Sequence, residues 1–133
     1  MNAEQAIKQI LAMQTIAVVG LSPRVERPSN GVARYLLSQG YTIIPVNPGH
    51  ESILGLQAYP SLQAIPEPVD VVDVFRRAEF TAAVAEEAVA IGARAFWLQL
   101  GIINDAAVMT AEQGGLLAVQ NRCLKIEHAR ERY

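Results

Sequence analysis

Thr15-Ile16-Ala17-Val18-Val19-Gly20-Leu21-Ser22-Pro23 is a run of apolar and β-branched residues that ends in a glycine and a polar turn. The run shows no alternation, so it reads as a strand buried on both faces, as a central parallel strand is. Gly31-Val32-Ala33-Arg34-Tyr35-Leu36-Leu37 follows, and Val32, Tyr35, Leu36 and Leu37 recur at helical spacing. Strand, glycine, loop and helix in that order leave free backbone N–H groups at the helix N-terminus, where phosphate binds. The usual dinucleotide fingerprint G-x-G-x-x-G is absent, because the glycine after Gly20 is Gly31, eleven positions on. A tight turn in an α/β domain without a ligand would give the same local pattern.

Outward from this stretch, residues 2 to about 13 space Ala3, Ala6, Ile7, Ile10 and Leu11 as an amphipathic helix. Ser29 or Asn30 is expected to cap the helix that Gly31 opens, and Gly40 to close it. Tyr41 to Val46 reads as a second strand, and a short third is expected near Ala58 to Leu62. Val69 to Phe75 is a further strand, with Arg76 and Arg77 at its carboxyl end. Residues 79 to 91 form a helix with Phe80, Val84, Ala88 and Ile91 on one face. Ala95 to Leu100 is a strand running into Gly101. Asn104 or Asp105 then caps a helix reaching Gly114, and Leu116 to Val119 is the last strand.

Alternating strands and helices with crossover-length connections predict an α/β fold. It is a single Rossmann-like domain over residues 1–133, a mostly parallel sheet of five or six strands with helices on both faces. Right-handed crossovers bring Gly20, Asn47, Arg76 and Gly101 to one edge, where they share a crevice.

Composition narrows the function. A net charge of −2 argues against nucleic-acid binding through a basic surface. No apolar run approaches the roughly 20 residues of a membrane span, and no signal segment begins the chain. The one cysteine, Cys123, leaves no internal disulfide and fits a reducing compartment, so a cytoplasmic protein is expected. Where an NAD site carries an acid after its second strand, this chain has Asn47-Pro48. Arg24, Arg27, Arg76 and Arg77 lie on or near the same edge, a charge that suits coenzyme A or NADP better than NAD. Solvated surface charge is the plainer reading of each arginine.

Ile16 to Pro23, Arg27-Pro28-Ser29, Val32 to Leu36, Ile44 to Pro48, Val71 to Arg77, Trp97 to Gly101 and Arg122 to His128 together resemble the small single-domain CoA-binding protein family. Its fold is similar to the N-terminal CoA-binding domain of the succinyl-CoA synthetase α subunit. The resemblance implies that Gly20, Leu21, Ser22 and Pro23 line a diphosphate loop, with Arg27 on the same edge. It further implies that Asn47 and Pro48 meet the nucleotide part and that Phe75, Arg76 and Arg77 border the same pocket. That synthetase subunit has a more glycine-rich first loop and continues into a phosphohistidine-bearing domain with no counterpart in these residues, so binding is implied and ligase activity is not.

No nucleophile, base and orienter can be assembled from the sequence, and no His, Cys, Asp and Glu spacing suggests a metal. Cys123, beside Arg122 and Lys125, is either a lowered-pKa thiol or a packing residue. Glu127 and His128 are neighbours on an exposed C-terminal helix and point apart. Asp70 and Asp73 face opposite sides of their strand, Trp97 is core, and Gly20→Val is expected to abolish binding while sparing the fold. The expected function is non-catalytic binding of coenzyme A, free or acylated, with a protein partner possible. The alternatives are an NADP-linked oxidoreductase and an interaction protein with a vestigial nucleotide pocket.

Overall fold

The computed structural model describes residues 1–132. Its centre is a five-stranded sheet in the order β2-β1-β5-β6-β7, every neighbouring pair parallel. The strands are β1 (Thr15–Val19), β2 (Thr42–Val46), β5 (Val71–Val74), β6 (Ala95–Leu98) and β7 (Leu117–Val119). Between β2 and β5 lies a two-stranded antiparallel hairpin, β3 (Ser52–Ile53) and β4 (Leu56–Gln57). The short strand expected near Ala58 is instead this hairpin followed by a single bridge from Tyr59 to Val46. β2 lies at the edge of the sheet, where Pro45, with no N–H to give a ladder, is tolerated.

Five α-helices complete the order: α1 (Ala3–Leu11), α2 (Pro28–Ser38), α3 (Thr81–Ala90), α4 (Asp105–Gln113) and α5 (Leu124–Arg132). Ile7 and Ile10 of α1, Val32, Ala33 and Leu36 of α2 and Leu124 of α5 share one core with Trp97. Val84, Ala85 and Ala88 of α3 and Ala107 and Ala111 of α4 fill the opposite face with Phe96. Adjacent residues of β6 therefore supply the largest fully buried side chain of each layer, as the period of two along a strand requires. The Trp97 indole N–H donates to the Arg122 carbonyl at 2.7 Å, so its burial leaves no polar atom stranded.

Two boundaries differ from expectation for identifiable reasons. α2 begins at Pro28, not Gly31, because proline at the first helical position lacks only an N–H that would be unpaired anyway. Ser29 and Asn30 thus lie inside the first turn and cap nothing. α3 begins at Thr81, preceded by a 3-10 turn at Ala78–Phe80, and the Thr81 hydroxyl donates to the Ala78 carbonyl. Phe80 therefore stands 48% exposed instead of on the buried face.

The order of strands matters most for function. From β1 the chain moves outward to β2, then returns across β1 to place β5 on its other side. Crossover loops leave β1 and β5 in opposite directions, which opens a crevice between their carboxyl ends.

Candidate functional site

Gly20 closes β1 at φ +87°, a left-handed conformation that side chains rarely adopt. Its N–H donates to the Val46 carbonyl at 2.9 Å, while Phe75 N–H donates to the Val19 carbonyl at 2.8 Å, so the turn is seamed to both neighbouring strands. A Cβ at this position would sit 2.4 Å from the Phe75 carbonyl oxygen and 3.2 Å from Arg76 Cδ. That oxygen is backbone and cannot swing away. Gly20→Val therefore strains the β1–β5 junction as well as the crevice, and the expectation that it would spare the fold is corrected.

The loop from Leu21 to Arg27 is held by its own sequel. The Ser22 N–H donates to Ser29 Oγ at 2.9 Å, and Asn30 Nδ2 donates to the Ser22 carbonyl at 2.9 Å. Asn30 Oδ1 in turn accepts from Arg34 Nε at 2.8 Å. Ser29 and Asn30 are both buried, and what they give up as caps they recover as braces from the first turn of α2. A second brace comes from β2, where Asn47 Nδ2 donates to the Leu21 carbonyl at 3.0 Å and Asn47 Oδ1 accepts from Gly49 N–H.

A cavity of about 520 Å³ opens at the crevice, with Gly20, Ser22, Arg27, Phe75, Arg76 and Arg77 in its wall. Arg24, Pro28, Ser29 and Ile102 complete that wall and were not among the residues singled out as contacts. Ile102 had no local signal in the sequence, because it comes from the loop after β6 and meets Gly20 only through the sheet. Leu21 is fully buried in the core beside α2 and lines no cavity, and Pro23 is exposed on the loop outside the wall. Asn47 and Pro48 lie in a neighbouring cavity of about 600 Å³ between the end of β2 and the β3–β4 hairpin, together with His50, Glu51 and Gln57.

Charge distinguishes the first cavity. Arg24 Nε pairs with Glu26 at 2.8 Å on the exposed loop. Among the described residues Arg27, Arg76 and Arg77 make no ion pair, and Arg76 rests 5.5 Å above the Phe80 ring. Each of these three guanidiniums beside Gly20 is able to donate paired N–H groups to an oxyanion such as phosphate.

The remaining candidates fall elsewhere. Asp70 Oδ2 accepts from the N–H groups of Thr15 (2.9 Å) and Gln14 (3.1 Å) at the opposite, amino end of the sheet. The Thr15 N–H most of all, joined by that of Gln14 and the Arg94 charge, holds its carboxyl below the usual range against burial, the second-largest single influence. Asp73 is fully buried among apolar residues, in register with Val18 and Trp97, and neither carboxyl oxygen has a hydrogen-bond partner. Burial pushes it well above the ordinary carboxylate range. Asp70 precedes β5 and bonds a neighbouring backbone, whereas the isolation of Asp73 has no local signal in the sequence.

Cys123 is a half-buried free thiol packed against the core. Glu127 is buried, not exposed as the C-terminal helix reading implied, and its Oε1 lies 3.5 Å from both Arg122 and Arg130. His128 meets α2, where its Nδ1 is 2.8 Å from the Tyr35 hydroxyl. Among the described residues no helix is long and apolar enough to cross a membrane.

Comparison with known proteins follows the same lines. The family model described as CoA binding domain matches residues 14–129. The uncharacterized protein YneT of Bacillus subtilis is 43% identical over 124 residues, 92% of each chain. A solved structure of a hypothetical protein from Pyrococcus horikoshii OT3 superposes with a TM-score of 0.93 at 41% identity, covering 97% of this chain and 92% of that one. ADP-forming acetate–CoA ligase I of Archaeoglobus fulgidus is 31% identical over 81 residues, which is 61% of this chain and 12% of the ligase.

Proposed function

The chain belongs to the CoA binding domain family, and on that premise we propose that it binds coenzyme A across the β1–β5 crevice without chemistry of its own. The observation that carries this reading is the trio Arg27, Arg76 and Arg77, unpaired around the Gly20 turn at the switch point of the sheet. The diphosphate would lie over Gly20 and Ser22, where Gly20 has no Cβ and the loop is braced from beneath by Ser29 and Asn30. Preformed donors of this kind bind an anion without the cost of ordering a loop. The nucleotide end would extend toward Asn47 and Pro48. Asn47 holds the loops together through both ends of its amide and so serves position more than recognition.

Absence of catalysis is the reading that the crevice favours. Within its wall stand arginines, two serine hydroxyls already accepting from the N–H groups of Arg24 and Ser22, and apolar groups, with no histidine or carboxylate poised to move a proton.

Titration calorimetry with coenzyme A, dephospho-CoA, NAD and NADP on one preparation tests the reading. Coenzyme A should bind more tightly than NAD, and dephospho-CoA roughly ten- to a hundredfold more weakly than CoA if an arginine engages the 3′-phosphate. NADP binding tighter than CoA would promote the oxidoreductase alternative. Binding of none of the four would leave an interaction protein with a vestigial pocket.

A further inference from the structure

Seven large apolar side chains stand exposed among the described residues, and four of them lie on loops that leave the carboxyl ends of the strands. Val25 is on the loop after β1, Phe80 on the turn after β5, and Leu100 and Ile103 on the loop after β6. Ile126 of α5 shares a hollow with Leu100. Met1 precedes α1, and Met109 is on α4. Single exposed apolar residues need no explanation, but several on loops at one edge of a sheet can form a contact surface.

This surface is continuous with the arginine cavity. Ile102 belongs to the wall of that cavity, and Arg76 covers the Phe80 ring. Asn104 Nδ2 donates to the Ala78 carbonyl at 2.9 Å and so ties the loop after β6 to the Phe80 turn. Across the Leu100–Ile103 loop a second hollow of about 470 Å³ is lined by Leu100, Cys123 and Ile126 together with the charged Glu4, Arg122, Glu127 and Arg130, in which Arg122 pairs with both acids.

The loop itself is rigidly held. Gly101 N–H donates to Asn121 Oδ1 at 2.8 Å, Ile102 N–H to the Gln99 carbonyl at 2.9 Å, and Asn104 N–H to Gln120 Oε1 at 2.9 Å. Leu100 and Ile103, 61% and 55% exposed, are thus presented to solvent on a loop whose backbone is tied to the segment after β7.

A polycationic cavity that runs into a fixed apolar strip fits an amphiphile with a polyanionic head and an aliphatic tail. Resting on the coenzyme A reading, we propose that the ligand of this site is a thioester of coenzyme A with an aliphatic acyl chain, and that Leu100 and Ile103 set the preference for it over free CoA. The arginines hold the phosphates, the pantetheine arm that separates them from the thioester runs out of the cavity past Ile102, and the acyl chain beyond it lies along the strip and is removed from water there. Complete burial tightens binding roughly fourfold per methylene, and a strip that covers one side of the chain about half as much in free energy, or roughly twofold.

Calorimetric titration of the full chain with CoA, acetyl-CoA, butyryl-CoA and octanoyl-CoA, each below its micellar concentration, tests this, with octanoate alone as a control. Affinity should climb with chain length, octanoyl-CoA binding roughly ten- to a hundredfold more tightly than acetyl-CoA. The Leu100→Ser/Ile103→Ser variant should flatten that climb while CoA affinity and melting temperature stay unchanged. A Leu100→Ala/Ile103→Ala variant, with no new polar group, should flatten it in part. CoA binding with no dependence on chain length would overturn the acyl assignment and leave the coenzyme A reading intact. Binding of neither CoA nor any thioester would overturn both. A self-association constant that the serine variant weakens, with acyl-CoA affinity unaltered, would assign the strip to a second copy of the chain instead.

Discussion

Asp70 and Asp73 lie three residues apart at and within β5, and their carboxyls should answer pH in opposite senses. The folded carboxyl of Asp70 is held below its unfolded range, so its contribution is present above about pH 4 and is lost as pH falls through the folded value. Asp70→Asn should cost about 1 kcal/mol at pH 7, chiefly through weaker bonds to the Thr15 and Gln14 N–H groups, and much less at pH 2. Arg94, 3.7 Å away and mostly exposed, adds little. Asp73 is the reverse. Its folded value is raised, so the fold loses stability as pH climbs from about 4 toward that value, at up to about 1.4 kcal/mol per pH unit. Asp73→Asn should therefore melt higher than the natural chain at pH 8 and alike at pH 4. Thermal melts of both variants across pH 3 to 8 check the two signs, and a variant of Asp73 that melts lower at pH 8 would show that the carboxyl is satisfied in solution.

At the scale of an element, α2 does two jobs with its first turn. Pro28 starts it without a side-chain cap, which frees Ser29 and Asn30 to hold the Ser22 loop. Ser29→Ala removes the acceptor for the Ser22 N–H and should cost about 1 kcal/mol of stability. Its effect on CoA affinity should exceed that of an equally destabilising core change such as Val32→Ala, because only the former releases the loop; calorimetry on the two variants separates them. Gly20→Ala is an element-scale change too. It sets a methyl against the Phe75 carbonyl at a positive φ, so chemical denaturation should report a loss of about 1–3 kcal/mol together with the loss of binding.

For the whole molecule, the reading predicts linkage between ligand and fold. Coenzyme A at a hundred times its dissociation constant should stabilise the chain by about 2.7 kcal/mol, a rise of roughly 8–10 °C in melting temperature for a domain of this size. Because Arg27, Arg76 and Arg77 are unpaired at a cavity open to solvent, added salt should reduce the shift. Arg27→Ala/Arg77→Ala should reduce both the shift and its salt dependence. Arg76 is the poorer choice for this test, since it also packs over Phe80.

What the sequence determined by itself is the sheet and its busy edge. The apolar runs of β1 and β6, and of β5 but for Asp73, read as strands covered on both faces, and that, with helices between them, implies parallel order and a shared carboxyl end. Gly20, Ser22, Phe75, Arg76 and Arg77 line one cavity because each follows closely on the end of β1 or β5, a position that topology converts directly into place, while Arg27 arrives there as the residue before α2. Tertiary structure alone decided the rest. Leu21 and Pro23 belong to the same loop as Ser22, yet one turns into the core and the other out to solvent, since the side chains of a loop follow its bracing and not a period. Ile102 joins Gly20, and Asp73 loses every partner, through packing between segments far apart in the chain. Phe80 and Leu100, apolar by composition, are left outside because the helix begins one residue after Phe80 and β6 ends two residues before Leu100. Such boundaries depend on which backbone groups find partners in the folded chain, and no local pattern encodes that.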